Sequence, residues 1–160
     1  MSRNEEFAAG AQQRRTAVIF DMDGTLANVS GIRHYVAGRP KNFDKFHEES
    51  VNAPANPEVV KAAHEAKAAG HEVIVVTARD AKWRHHTAAW LGLNNVPSDA
   101  MFMRKHKDQR PDYEVKSEIH DKIAQTHDIV HAYDDNPNVV RLWREKGIPT
   151  TVVPGWEEEK

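Results

Sequence analysis

The sequence predicts a three-layer α/β fold built on a five-stranded parallel sheet, and three observations predict it. Five short apolar runs recur along the chain, around Ala17–Phe20, Val73–Val76, Met101–Met103, Ile129–Tyr133 and Thr150–Val153. Helical stretches lie between them, the alternation that sets parallel strands beside crossover helices. Pairs of aspartates close the first and fourth runs, and an open parallel sheet gathers its ligand-binding groups at the carboxyl ends of its strands.

In chain order, residues 1–15 read as a tail and 16–160 as one domain. The first strand runs straight into Asp21 and Asp23. The stretch 27–54 is too short for a second domain and reads as a small cap insertion with a helix around Phe43–Ser50, so the site beside it should be only partly covered. Asn56-Pro57 pairs an N-cap with proline at the first helical position, and Gly70 supplies a left-handed stop. Val59 and Ala63 give that helix an apolar face. The second strand ends at Thr77. Trp83, Trp90 and Leu91 mark the core face of a helix between Asp80 and Gly92, the latter read as its stop. After the third strand comes a basic run, Arg104–Arg110, and then a helix opened by Lys116, with Val115, Ile119 and Ile123 facing inward. Asp134-Asp135 closes the fourth strand. Asn136-Pro137 starts the last helix, which buries Val139 and Trp143 and stops at Gly147.

Composition narrows the chemistry. The chain has no cysteine, which excludes disulfides, a thiol nucleophile and thiolate metal ligands. Its formal net charge is −2, so it carries no global basic footprint for a nucleic-acid duplex, and a polyanion would need a local patch. No apolar run approaches the roughly 20 residues that cross a bilayer, and nothing near Met1 resembles a secretory signal. The expectation is a cytoplasmic protein with no membrane partner.

The sharpest local signal is Phe20-Asp21-Met22-Asp23-Gly24-Thr25-Leu26. Two carboxylates at a buried strand end are costly unless a cation or hydrogen bonds compensate, and magnesium prefers such hard oxygen ligands. Asp134 and Asp135 should share the same crevice, with Thr77 and Arg79 at its rim and Lys116 within reach. A nucleophilic carboxylate, an acid/base carboxylate, a magnesium cage, a hydroxyl and a lysine together suit in-line phosphoryl transfer, whose catalysis is mostly positioning and charge neutralisation.

Other readings of the same residues exist. Asp-x-Asp-Gly-Thr alone suits a calcium-binding turn, Thr77 alone a satisfied strand end, and Lys116 alone a solvated helix position. The doublets His120-Asp121 and His127-Asp128 do not supply the separated ligands of a histidine-bound metal. Arg104, Lys105, Lys107 and Arg110 are either a solvated loop or a patch that receives the phosphates of a nucleic-acid end.

Asp21-Met22-Asp23-Gly24-Thr25, Thr77, Lys116 and Asp134-Asp135 resemble, in order and spacing, the four motifs of the haloacid dehalogenase superfamily of phosphohydrolases, whose sheet is Rossmann-like. More narrowly, the stretch from about Ala17 to Trp156 is similar to the 3'-phosphatase domain of phage polynucleotide kinases, through Ile74–Arg79, Val115–Ile119 and Asp134-Asp135 followed by Val139–Arg144. The resemblance implies that Asp21 attacks phosphorus, that Asp23 protonates the leaving oxygen and later activates water, and that Thr77 and Lys116 grip the phosphoryl group. It also implies Mg2+ held by the Asp21 carboxylate, the Asp23 main-chain carbonyl and Asp134, with Asp135 ligating directly or through a water. Arg79 joins these as a candidate substrate contact. Where many superfamily members carry a further acid beyond the fourth motif, this chain has Asn136 and Asn138.

The expected substrate is therefore a phosphorylated nucleic-acid end or nucleotide. A phosphatase of a small metabolite is the first rival and a catalytically silent binding module the second. No Gly-x-x-x-x-Gly-Lys string occurs, so a kinase, or a ligase, would act in trans.

Overall fold

The computed structural model of the chain describes residues 14–155. Five strands, β1 (Arg15–Phe20), β2 (Glu72–Asp80), β3 (Ala100–Arg104), β4 (His127–Asp134) and β5 (Thr150–Val152), form one sheet in the order β3-β2-β1-β4-β5. Every pairing is parallel, so the predicted α/β architecture with a five-stranded parallel sheet is what the chain adopts. Six α-helices accompany the strands among the described residues: α1 (His34–Ala37), α2 (Phe43–Glu49), α3 (Pro57–Ala68), α4 (Arg84–Leu93), α5 (Asp112–Ile123) and α6 (Pro137–Glu145).

Strand alternation sorts the apolar residues into two cores. Val18, Phe20, Val73 and Val75 point to one face, where Val59 and Ala63 of α3 and Trp90 and Leu91 of α4 cover them. Ala17, Ile19, Ile74 and Val76 point to the other, under Val115, Ile119 and Ile123 of α5 and Val139, Leu142 and Trp143 of α6. The inner strands are thus buried on both faces, which is why they read as continuous apolar runs. The order reverses beside β1, whose neighbours are β2 and β4, and that reversal opens a crevice at the carboxyl edge.

The insertion between β1 and α3 holds α1, α2 and a 3-10 turn over Ser50–Asn52. It is anchored on the first core by Val36, Phe46 and Ala53, and the indole of the buried Trp90 donates to the Ala53 carbonyl at 2.7 Å. Helix α1 has no side-chain cap and no apolar period, so it leaves no local trace in the sequence.

Several expected boundaries shift. Most of the expected tail lies outside the described residues, and Arg15 already stands in β1. Gly70 and Gly147 take positive φ as expected of helix stops, but Gly92 does not; α4 runs on to Leu93 and the left-handed residue is Asn95, at φ 54°. Strand β2 passes Thr77 and continues to Asp80 because Asp80 pairs with Arg104 of β3. Helix α5 starts at Asp112, placing Lys116 in its second turn rather than at its opening. Trp90 and Trp143 are core as expected, whereas Trp83 is only half-buried and turns to the crevice.

Candidate active site

The chain leaves β1 through Asp21 and turns sharply at Gly24, whose φ is +83°. Only glycine fits there, because a Cβ would lie 2.3 Å from Asp135 Oδ2 as well as demanding a left-handed backbone. Gly155 closes on the same loop, where a Cβ would come within 2.3 Å of the Gly24 carbonyl oxygen. The turn and the chain after β5 therefore pack backbone to backbone, with the Asp135 side chain against both. Phe20 and Tyr133 stack at 4.7 Å, and the Asp21 amide donates to the Tyr133 carbonyl at 3.0 Å, so the first and second acid pairs are held in fixed register.

Three carboxylates meet at that junction. Asp21, Asp134 and Asp135 are all buried, and one oxygen from each lies within 4.8 Å of the others, a set that could hold a divalent cation. Lys116, 2% exposed, reaches in from α5 and donates to Asp21 Oδ1 at 2.8 Å and to Asp134 Oδ2 at 2.9 Å. The Thr25 hydroxyl donates to Asp21 Oδ2 at 3.0 Å. Burial, and then the neighbouring charge of Asp21, push the Asp134 carboxyl up to about 6 against the opposing pull of Lys116. Burial works against the Lys116 ammonium too, but Asp134 and Asp21 outweigh it and hold the group charged well above the usual lysine range.

Asp23 stands apart from this cluster. Its carboxylate, 16% exposed, is clamped by Arg79, whose Nε and terminal nitrogen donate to it at 2.9 and 2.6 Å. Burial pushes the Asp23 carboxyl up, but Arg79, with His47 and Lys116, more than offsets it and the net displacement is downward. The remaining Arg79 nitrogen donates to Thr87 Oγ1 at 3.0 Å.

These groups line a cavity of about 590 Å³ that also includes Thr77, Phe43, Phe46, His47, Lys82, Trp83, Arg104 and Arg110. The family model described as "Polynucleotide kinase PNKP phosphatase domain" matches residues 15–155. The chain belongs to that family. It is a phosphatase domain of the haloacid dehalogenase type. A viral relative, the "Putative bifunctional polynucleotide kinase/RNA ligase" of Autographa californica nuclear polyhedrosis virus, is 27% identical over 138 residues, covering 84% of this chain and 18% of that protein. A chain in the solved Pnkp1/Rnl/Hen1 complex superposes with a TM-score of 0.77 at 28% identity, over 89% of this chain and 47% of its own length. The class C acid phosphatase of Bacillus anthracis, at 16% identity and a TM-score of 0.71 over 96% of this chain and 72% of its own, shares the fold. This phosphatase thus spans less than half the length of the first two relatives.

The structure brings Asp21, Asp23, Thr77, Arg79, Lys116, Asp134 and Asp135 of the phosphatase around one cavity. The surroundings of three of the expected groups are as follows. The Asp23 carboxylate lies outside the acid cluster, which leaves only its main-chain carbonyl for the metal role. Arg79, 2% exposed, lines the cavity and donates to Asp23 and Thr87. The basic run is mostly spent on its own neighbours: Arg104 bonds Asp112 at 2.7 Å and the Ala78 carbonyl at 2.8 Å, and Arg110 bonds Asp108 at 2.7 Å and Glu118 at 2.8 Å. Arg104 and Arg110 still line the cavity, but Lys105 and Lys107 do not. Sequence reasoning missed Thr87, His47, Phe43 and Gly155. Only Phe43 and His47 carried a sequence signal, as part of the expected cap helix.

Proposed function

We propose that this domain hydrolyses phosphomonoesters through an aspartyl-phosphate on Asp21, with Mg2+ as cofactor and a 3'-phosphorylated nucleic-acid end as preferred substrate. The observation that carries the reading is the buried cluster of Asp21, Asp134 and Asp135 against Lys116, open to a cavity that also holds Asp23. The residues fit the cofactor. Asp21 and Asp134 share a single ammonium, and the donors are hard oxygens of the kind magnesium binds. Asp21, Asp134, Asp135 and the Asp23 carbonyl would hold the ion, which supplies charge neutralisation for the phosphoryl oxygens.

In the first half-reaction an Asp21 carboxylate oxygen bonds to phosphorus as the bond to the leaving oxygen breaks, and Asp23, which must first take up a proton against the pull of Arg79, gives that proton to the leaving oxygen. In the second, water attacks the phosphorus of the aspartyl-phosphate and passes a proton to the Asp23 carboxylate, releasing orthophosphate and restoring Asp21. Thr77 and Lys116 hold the phosphoryl group in line, and Arg79 keeps the Asp23 carboxylate in one orientation through its two hydrogen bonds.

Membership of the polynucleotide kinase phosphatase family supports the nucleic-acid end as substrate. The kinase and ligase named for the relatives are proposed here as activities acting with this domain, since the chain has no nucleotide-binding Gly-x-x-x-x-Gly-Lys sequence. Among the described residues no helix is long and apolar enough to cross a membrane, and a cytoplasmic setting belongs to the same proposal. A panel of a 3'-phosphorylated oligonucleotide and sugar phosphates, each with Mg2+ and with chelator, tests the whole. The oligonucleotide should be hydrolysed with the higher kcat/KM and only with the metal. Sugar phosphates winning by orders of magnitude would move the assignment to a metabolite phosphatase, and no hydrolysis of any substrate would favour a silent module.

A further inference from the structure

We propose that Thr87 is a positioning residue for proton transfer to the leaving group: acting through Arg79, it holds the Asp23 carboxyl at the angle from which it serves the departing oxygen. The inference rests on the phosphatase reading above and extends it to a side chain that does not itself line the cavity.

Thr87 is the fourth residue of α4 and is 0% exposed. A threonine inside a helix can turn its hydroxyl back to the carbonyl four residues earlier, and here that bond runs to the Trp83 carbonyl at 2.9 Å. A hydroxyl has one proton, so once Trp83 receives it only lone pairs are left for another group. They accept from Arg79 at 3.0 Å. The other edge of the same guanidinium donates through Nε to one Asp23 oxygen at 2.9 Å and through a terminal nitrogen to the other at 2.6 Å. A single line of donors and acceptors thus joins the Asp23 carboxylate to the backbone at the start of α4.

The guanidinium is planar, so contacts on two of its edges fix its plane, and its fork fixes the carboxylate in turn. With Asp23 as its sole partner, the pair would be free to swing as a unit on the long arginine side chain. Thr87 removes that freedom. Arg79 is 2% exposed, so without the hydroxyl a buried N–H loses its partner and the guanidinium shifts to find another, taking the forked carboxylate with it. Proton transfer feels such a shift because it needs hydrogen-bond contact with the leaving oxygen. Asp21 is held by Lys116, by Thr25 and by its amide bond to Tyr133 instead, so its attack on phosphorus does not depend on Thr87.

Two phosphomonoesters separate these roles. In both, an Asp21 oxygen bonds to phosphorus as the leaving oxygen departs. The alkoxide of a 3'-phosphorylated oligonucleotide takes the Asp23 proton as it leaves, whereas p-nitrophenolate is stable enough to leave without one. The quantity measured on each is kcat/KM, which covers events up to that departure. Thr87→Val, which keeps the shape and removes the hydroxyl, should lower it about tenfold on the oligonucleotide, as one net hydrogen bond would, and by less than about twofold on p-nitrophenyl phosphate. Thr87→Ser should restore most of the loss. In an Asp23→Asn background Thr87→Val should cost nothing further on the oligonucleotide, because the group it positions is gone. Equal losses on both esters, a full additional loss in the Asp23→Asn background, or wild-type kcat/KM in Thr87→Val each overturn the inference while leaving the phosphatase reading intact. Should Thr87→Val not fold, Thr87→Cys, whose thiol is a weak acceptor, takes its place with the same expectations. Should a sugar phosphate be the better substrate, it serves as the alkyl ester in the same comparison. A wild-type protein that hydrolyses no ester sinks the phosphatase reading and this inference with it.

Discussion

Replacing Lys116 by Met keeps most of the side-chain volume and removes one charge from the most charged spot in the domain. Lys116 Nζ lies 2.8 Å from Asp21 and 2.9 Å from Asp134, with both the lysine and Asp134 side chains only 2% exposed. Removing one partner of a buried ion pair leaves the other uncompensated and costs about 3–5 kcal/mol. Against a total stability of about 5–15 kcal/mol that is a large fraction. The penalty should depend on pH in a fixed sense. Asp134 already sits near 6, and without the opposing pull of Lys116 it rises further, above the unfolded value of about 3.9. A carboxyl raised in the folded state contributes stability that is complete below the unfolded value and is lost as pH rises through the folded one. The gap between Lys116→Met and wild type should therefore narrow from pH 7.5 to pH 5.5, and saturating Mg2+ should narrow it at pH 7.5. Urea unfolding followed by circular dichroism, in chelator and in Mg2+, measures both. A variant within about 1 kcal/mol of wild type at pH 7.5 in chelator, the worth of an exposed pair, would refute the charge balance argued here. So would a gap that widens as pH falls.

Asp21→Asn should abolish turnover, and Asp23→Asn should lower kcat by about 10²- to 10⁴-fold, the range of one acid/base group, as read from orthophosphate release. Gly24→Ala forces a side chain into a left-handed backbone and onto Asp135, so it should cost at least about 1–2 kcal/mol in urea unfolding and raise the Mg2+ concentration needed for half-maximal activity. Burial pushes the His47 imidazole down to about 4. A histidine lowered in the folded state lends stability that is present above the unfolded value of about 6.5 and lost as pH falls through the folded value, so wild type should lose about 3 kcal/mol between pH 7 and pH 4 that His47→Leu does not. Because the basic run is largely paired, kcat/KM on a single-stranded 3'-phosphorylated oligonucleotide should fall with salt on a log–log slope shallower than about −2, where each phosphate contact adds about −0.7. A steeper slope would mean that those internal pairs open to receive the strand.

The parts of this fold legible in the sequence are those whose signal is local. Apolar runs bounded by glycine and Asn-Pro gave the five strands and the main helices, because a strand buried on both faces and a helix with one apolar face each leave a periodic trace. The acids were legible for a related reason: carboxylates directly after a buried strand have few uses other than a site. What stayed hidden depends on partners distant in the chain. Nothing near Arg79 says that its guanidinium will be shared between Asp23, which lies 56 positions away, and Thr87. The sequence pattern runs Trp83 and Trp90 together as one helix, yet Trp83 closes a separate 3-10 turn over Ala81–Trp83 ahead of α4 and lines the cavity. Gly155 gave no trace at all, since a close approach of two backbones has no local period.

The distribution of charge in the finished structure carries the case for a cation further than the motif does. Among the described residues several opposite charges meet: Arg104 with Asp112, Arg110 with Asp108 and Glu118, Lys82 with Asp44, and Arg79 with Asp23. In each of these pairs but the last, at least one partner is well exposed. The exception to this economy lies at the opposite extreme of burial, where Asp21 and Asp134 divide one ammonium and Asp135 stands within 4.8 Å of both. Two carboxylates divided over one ammonium are most expensive where water is excluded. A small divalent cation, which takes hard oxygen ligands, would offset that expense at this cluster, and this supports the cofactor proposed above.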